Sequence, residues 1–205
     1  MHRIAPQLFC LIPKKLGSWE VYLILFNIIL LDSSILSFIL PEGLIEYKQQ
    51  VPIKITVHHE GGKVLSKTDD AKQRLKNIQT WGMGPDRKWA DVPYHLLIAT
   101  DGTVYQGRNP LTVGETNTEY DPTGHLLICF LGNYSQQKLD RRLRKVLVNL
   151  LADQCIKYNI AANEISTHRD HSSQTTCPGE EIYSYFKSGY MVKEVTIALK
   201  KRRFI

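Results

Sequence analysis

A polar stretch near the carboxyl end of the chain gathers side chains that ligate metals or transfer protons. Its sequence, from Ser166 to Gly179, is STHRDHSSQTTCPG. The abundance of Ser, Thr and Gly favours a loop over a packed helix or strand. Such a loop is either one side of a functional site or a solvated polar segment, and the stretch alone leaves both open. The residues that could carry chemistry are His168, Asp170, His171 and Cys177.

A second source of histidine lies far upstream, where the strand-like run ITVHH meets Gly61 and Gly62. Alternation along a strand places Val57 and His59 on one face and His58 on the other. Together with His168 and Cys177, a histidine from this run would offer two nitrogens and one sulfur. Zinc favours such donors in tetrahedral geometry, and three protein ligands leave a fourth position for water. The spacing by itself is a weak signal, because loop histidines are usually solvated.

The segments that must position these residues alternate between strand-like and helix-like patterns. Ile53 to His59 alternates apolar and polar residues and predicts a strand. The run YHLLIATDGTVYQGR has two strand-like parts joined at Asp101-Gly102, which indicates a hairpin. Residues 125 to 132, HLLICFLG, are continuously apolar and predict a buried central strand.

Three helices complete the pattern. One begins near Asp69 and Asp70, which suit an N-cap and first turn. A second runs from Ser135 to about Tyr158, with leucines and valines on one stripe, and a short third one from Glu180 to Lys187. This order predicts an α/β protein with a single domain, in which helices cover a central mixed β-sheet.

The charge distribution argues against a nucleic-acid partner. The apolar fraction of 43% and the charged fraction of 22% are those of a folded protein. Of the net charge of +6, residues 191–205 supply +4, from five basic residues and one acidic residue. The globular part is therefore near neutral, which disfavours a general nucleic-acid surface. We expect residues 191–205 to form a basic tail, either solvated or in contact with anionic wall polymers.

An apolar segment precedes the domain at residues 21–40, and its twenty residues are about the length that crosses a bilayer. It is interrupted by polar residues, among them Asp32. Three interpretations stay open: an uncleaved signal anchor, a signal peptide, or an element packed on the domain. The basic residues Arg3, Lys14 and Lys15 precede it, so the positive-inside rule favours export of the rest. We therefore divide the chain into residues 1–40, a domain at 41–190 and the tail.

Several motifs in this order resemble the type 2 N-acetylmuramoyl-L-alanine amidases, a family that includes phage lysozyme-type amidases and the peptidoglycan recognition proteins. The resemblance covers about residues 53 to 188, and the combination carries it rather than any single motif. It implies a zinc-dependent α/β domain that cleaves the amide between N-acetylmuramic acid and L-alanine of peptidoglycan. The motifs are ITVHH, WADVPYHLLIATDGTVYQGR, GHLLICFLGNY, THRD and TCPG.

The resemblance also implies roles for individual residues. The first histidine of VHH, the histidine of THRD and the cysteine of TCPG match the family's zinc ligands, which gives His58, His168 and Cys177. The tyrosine of VPYHLL matches the catalytic tyrosine, which gives Tyr94. Two places before the cysteine, Thr175 occupies a position that contacts the substrate carbonyl or oxyanion in the family.

The chain departs from the family pattern at two places. Eight residues separate His168 from Cys177, one more than in many members, which predicts a bulge in the loop. Cys129 stands where some relatives have a glutamate that serves as a general base. The remaining histidines His59, His95, His125 and His171 are available as proton shuttles, but structural hydrogen bonds are their more ordinary role. The ligand set favours an enzyme, and a non-catalytic peptidoglycan-binding module is the alternative.

Overall fold

The computed structural model describes residues 47–202. Within that range a five-stranded sheet has the order β3-β2-β4-β1-β5. All neighbours pair in parallel except β2 and β3, which form the antiparallel hairpin. The sheet is therefore mixed, as the sequence predicts. The strands are β1 (Lys54–His59), β2 (Leu96–Ile98), β3 (Val104–Gln106), β4 (His125–Phe130) and β5 (Ile165–Thr167).

The two central strands, β1 and β4, are buried along nearly their whole length. Every residue of β4 is buried, which confirms the prediction from its continuous apolar run. One face of these strands contributes Ile55, Val57 and Ile128 to the larger hydrophobic core. That core continues into Leu147 and Leu151 of the longest helix. The opposite face packs against a smaller apolar cluster, and near the carboxyl ends of the strands it also carries the polar side chains that could form a site.

In the described part of the chain, four α-helices pack around the sheet: α1 (Ala71–Gly82), α2 (Arg141–Tyr158), α3 (Glu180–Lys187) and α4 (Tyr190–Arg202). Asp70 caps α1 by accepting from the backbone N–H of Gln73, and α3 has the predicted bounds. The predicted start of the second helix at Ser135 is wrong. Asp140 accepts from the N–H of Leu143 at 2.7 Å and begins α2 at Arg141, because a side-chain cap outweighs the apolar pattern upstream.

The prediction of a solvated tail from residue 191 is wrong for the part that the structure describes. Residues 190–202 form α4, in which Met191 and Val195 are fully buried. They pack in the same core as Leu147 of α2. The lysines of this helix are exposed and Arg202 pairs with Asp153 of α2, so the basic residues do not prevent the helix from packing. The domain therefore extends at least to Arg202.

The predicted anchor or signal segment at residues 21–40 lies outside the described residues. Between residues 47 and 202, no helix combines the length and the apolar character needed to span a bilayer.

Candidate metal centre

Three ligand-type side chains converge at the carboxyl end of the sheet. His58 is near the end of β1, His168 directly follows the adjacent parallel strand β5, and Cys177 precedes α3. Their ligand atoms all lie within 4.8 Å of one another. Nδ1 of His58 is 3.8 Å from Sγ of Cys177. Parallel strands end at the same edge of a sheet, which is why residues more than a hundred positions apart meet here.

The donor set fits a metal ion. All three side chains are buried, at 1%, 7% and 6% exposure for His58, His168 and Cys177. Nε2 of His58 is buried and has no hydrogen-bond partner among the described residues. Buried polar atoms without partners are costly unless something else satisfies them. Two imidazoles and a thiol that cluster in a buried site are therefore suited to a soft or borderline cation.

The protonation states of these side chains also suit metal binding. Burial, and next the neighbouring His168, holds the pKa of His58 well below its ordinary value. Burial, and next His171, lowers the pKa of His168 to about 4. Both imidazoles are therefore neutral at pH 7 and able to donate a lone pair. Burial raises the pKa of the Cys177 thiol to about 12, so a metal must displace its proton on binding.

The neighbouring histidine, His59, is engaged elsewhere. Its Nδ1 accepts a hydrogen bond from the backbone N–H of Tyr134 at 3.0 Å, in the region of the larger core. Its own backbone N–H donates to Sγ of Cys177 at 3.2 Å. The alternation of β1 thus brings His58, and not His59, into the cluster. The contribution of His59 to this centre is made by its main chain.

Tyr94 lies beside the cluster, in the segment that leads into β2. Its ring centroid is 5.3 Å from that of His58. Burial raises the pKa of its hydroxyl well above the ordinary value, and the thiols of Cys129 and Cys177 add to this effect. The phenol therefore stays protonated at neutral pH and can donate a hydrogen bond to a ligand.

Thr175 lines the same cavity, two residues before the cysteine. Its Oγ1 accepts a hydrogen bond from the backbone N–H of Cys177 at 3.1 Å. The hydroxyl proton is not used in that contact and can be donated to a ligand. The predicted residues Tyr94 and Thr175 are therefore brought to one cavity with the ligand cluster.

The cavity has a volume of about 590 Å³, within the usual range for small-molecule sites. The first turn after β1 contributes Glu60, which forms a buried ion pair with Arg74 of α1. Opposite walls come from α1, with Ile78 and Trp81, and from residues 115–118. Trp81 is 52% exposed and offers an aromatic surface at the edge of the cavity.

Arg108 joins segments that line this cavity, and it is not among the residues predicted from the sequence. Its side chain is only 1% exposed, and its guanidinium donates to the carbonyls of Asp91, Val92 and Val113. Its backbone N–H donates to the carbonyl of Tyr94 at 2.9 Å. One buried cation thus ties the segment that holds Tyr94 to the segment that leads into residues 115–118. An isolated arginine after a strand gives no sequence signal for such a role.

The segment from Thr118 to Tyr120 is a second feature without a sequence signal. Oγ1 of Thr118 lies 2.8 Å from Nε2 of His168. Glu119 accepts a hydrogen bond from the hydroxyl of Ser172 at 2.8 Å. The ring of Tyr120 stacks on His171, with centroids 4.7 Å apart. Three consecutive residues are thus fastened to the loop that carries His168.

The other histidines make the structural hydrogen bonds expected of them. Nδ1 of His95 accepts from the N–H of Leu127 at 2.7 Å, and Nδ1 of His125 lies 2.8 Å from Oγ1 of Thr56. Nε2 of His171 lies 2.7 Å from Oγ of Ser166. Within the loop, Asp170 accepts from the N–H and hydroxyl of Thr167 and so holds the turn that follows β5.

Comparison with known proteins agrees with this architecture. The profile of the N-acetylmuramoyl-L-alanine amidase family matches residues 48–180. Peptidoglycan recognition protein 1 of Rattus norvegicus is 32% identical over 136 residues, which are 65% of this chain and 73% of that protein.

Two solved structures have the same fold. The Drosophila peptidoglycan recognition protein SD superposes with a TM-score of 0.61 at 26% identity, over 72% of this chain and 86% of that chain. The complex of recognition proteins LCa and LCx with tracheal cytotoxin gives 0.60 at 25% identity, over 72% and 89%. The chain therefore belongs to the family of N-acetylmuramoyl-L-alanine amidases and peptidoglycan recognition proteins.

Proposed function

We propose that the protein is a zinc-dependent amidase, which hydrolyses the amide bond between N-acetylmuramic acid and L-alanine in peptidoglycan. The observation that carries the proposal is the set of three buried ligands, His58, His168 and Cys177, with atoms within 4.8 Å of one another. The match to the amidase family over residues 48–180 supports the same substrate class. Three protein ligands are also typical of catalytic zinc sites, because a fourth position stays open.

The chain's own residues have separate tasks in this reaction. His58, His168 and Cys177 hold the zinc, which when bound activates water and polarises the scissile carbonyl. Tyr94 donates a hydrogen bond to the oxygen on which negative charge develops, since its hydroxyl stays protonated. Thr175 donates a second one, while its oxygen keeps the N–H of Cys177 in place. The three metal ligands are buried, so contacts made beside them are screened less by water than contacts at the surface.

The partner follows from the same reasoning. A muropeptide is our proposed ligand for the cavity, and the complex of two relatives with tracheal cytotoxin supports it.

We propose that the domain acts outside the cytoplasm, because basic residues precede the apolar segment at 21–40. The structure of those two relatives is of their ectodomains, which is consistent with this location.

Recognition of peptidoglycan without hydrolysis is the second candidate. The names of the curated relatives favour it, since they are peptidoglycan recognition proteins. The complete ligand set and Tyr94 favour the enzyme, because a module that only binds has no need of an activated water.

The test incubates the purified full-length protein with peptidoglycan and zinc, and with a chelator in a parallel sample. Appearance of new L-alanine amino termini, abolished by the chelator, is the expected result. New reducing sugar ends would instead indicate a glycosidase. Binding to peptidoglycan without new termini, at any zinc concentration, would exclude the amidase and leave the recognition module.

A further inference from the structure

We propose that Thr118 is a positioning residue for the metal centre. Its hydroxyl sets the tautomer and the ring orientation of His168. The inference rests on the metal-binding part of the proposed function and not on hydrolysis. In this role Thr118 contacts a ligand of the metal rather than the metal itself. It acts through the histidine.

The first step concerns the two ring nitrogens of His168. Nε2 lies 2.8 Å from Oγ1 of Thr118, which is an ordinary hydrogen-bond distance. Nδ1 is therefore the ring nitrogen left for a metal. A lone pair on Nδ1 requires the proton to be on Nε2, and the threonine oxygen is placed to accept that proton's hydrogen bond. Ligating histidines commonly use the other ring N–H in this manner, which fixes the ring and raises its basicity.

The second step concerns how Thr118 itself is held. The next two residues, Glu119 and Tyr120, also contact the loop that carries His168. The hydroxyl of Tyr120 lies 3.2 Å from Oγ1 of Thr56 on β1, so the segment is joined to the sheet as well. A hydroxyl on a segment fixed at three successive residues keeps a defined position relative to the imidazole. Such fixation is what a supporting contact needs in order to orient a ligand.

The third step separates this role from general support of the loop. The Glu119–Ser172 side-chain hydrogen bond joins the same two segments but does not involve the imidazole of His168. If the segments only need to be joined, loss of either contact lowers the zinc affinity equally. If Thr118 orients the imidazole, loss of the Thr118 contact lowers the zinc affinity more.

The experiment measures zinc affinity by competition with a chromophoric chelator for the full-length protein and four variants. Thr118→Val removes the oxygen and keeps the shape, and we expect the zinc Kd to rise about 10- to 100-fold. Thr118→Ser restores the hydroxyl and is expected to stay within about threefold of the unsubstituted protein. Ser172→Ala is expected to have a smaller effect than Thr118→Val. Thr103→Val is the matched control, since that exposed hydroxyl contacts only Asp101 in the β2–β3 turn.

A second readout does not depend on zinc. Long-range proton–nitrogen NMR spectra of the metal-free protein report which ring nitrogen of His168 carries the proton. We expect the Nε2–H tautomer in the unsubstituted protein and in Thr118→Ser, and a shift away from it in Thr118→Val. An unchanged tautomer together with an unchanged zinc Kd in Thr118→Val would overturn the proposal. If no variant binds zinc, the metal site of the proposed function fails instead, and the tautomer still decides the role of Thr118.

Discussion

The two faces of the central strands β1 and β4 differ in the side chains that they carry. On one face, Ile55 and Val57 of β1 join Leu147 and Leu151 of α2 in a core in which the side chains are fully buried and apolar. On the other face, the same strand carries Thr56 and His58, and the covering helix α1 leaves a cavity of about 590 Å³. The first face packs into the larger apolar core, whereas the second combines a smaller apolar cluster with the polar groups of the site.

The candidate site therefore depends on the core for its position, but its residues are not residues of the core. A strand alternates its side chains between faces, so one β-strand supplies both a core residue and a candidate ligand at neighbouring positions. The helix α2 fixes the strands from behind, and the ends of the strands then fix the histidines. Substitutions on the two faces should therefore have separable effects on stability and on metal binding.

The largest expected effect is the loss of the metal in Cys177→Ala. We expect the zinc Kd to rise more than about 100-fold, since removal of a ligand exceeds the cost of removing a supporting contact. Hydrolysis of peptidoglycan should be lost with the metal. The measurements are zinc content after dialysis and release of L-alanine amino termini.

Cys155→Ala is the matched control for that variant. Cys155 is a buried cysteine of α2, in the core on the other side of the sheet. The Cys155→Ala variant should be less stable than the unsubstituted protein and should keep its zinc. Retention of both zinc and activity in Cys177→Ala would show that the ligand assignment is wrong.

Tyr94→Phe should affect the reaction and leave the metal in place. Removal of one hydrogen-bond donor to a developing oxyanion lowers kcat by about 100- to 1000-fold in comparable sites. We expect a loss of that order, with unchanged zinc content and unchanged affinity for peptidoglycan. Tyr105→Phe on the edge strand β3 is the control and should behave like the unsubstituted protein. A Tyr94→Phe variant with full kcat would remove the tyrosine from the reaction.

Leu147→Ala tests the apolar face. Leu147 is fully buried, and loss of its side chain leaves a cavity that should lower the free energy of unfolding by about 2–5 kcal/mol. Zinc Kd should be unchanged in the fraction that is folded. Leu111→Ala is the control, because Leu111 is 44% exposed, and its effect should stay within about 0.5 kcal/mol. Urea unfolding measures the stability of both variants. A loss of zinc affinity in Leu147→Ala as large as its loss of stability would mean that the faces are not separable.

The smallest expected effect concerns pH. Burial lowers the pKa of His95 to about 4 from an ordinary value of 6.5, so the folded state resists its protonation. The unfolded state then binds more protons between these values, and stability is present above pH 6.5 and declines as the pH falls towards 4. The contribution is at most about 1.4 kcal/mol per pH unit for one group. His95→Gln should show a less steep decline than the unsubstituted protein in urea unfolding, and parallel declines would contradict this assignment.

The sequence was sufficient for most of the fold. Apolar continuity in β4, alternation in β1 and the Asp101-Gly102 turn are local signals, and each corresponds to an observed element. The predicted start of α2 at Ser135 is six residues too early, because the apolar pattern extends beyond the cap at Asp140. The last helix was mistaken for a tail because its basic residues outweigh Met191 and Val195 in composition, though not in packing.

What the sequence by itself determined was the kind of chemistry: two histidines and a cysteine in motifs typical of one family, with a tyrosine nearby. Alternation along β1 placed His58 and His59 on opposite faces, and the family resemblance selected His58. Only the tertiary structure decided the rest. The positions of Arg108 and of Thr118 depend on contacts between segments far apart in the chain, such as the 2.8 Å approach of Thr118 to His168. Local patterns record the propensities of neighbours along the chain, whereas a supporting hydrogen bond exists only after the segments have packed.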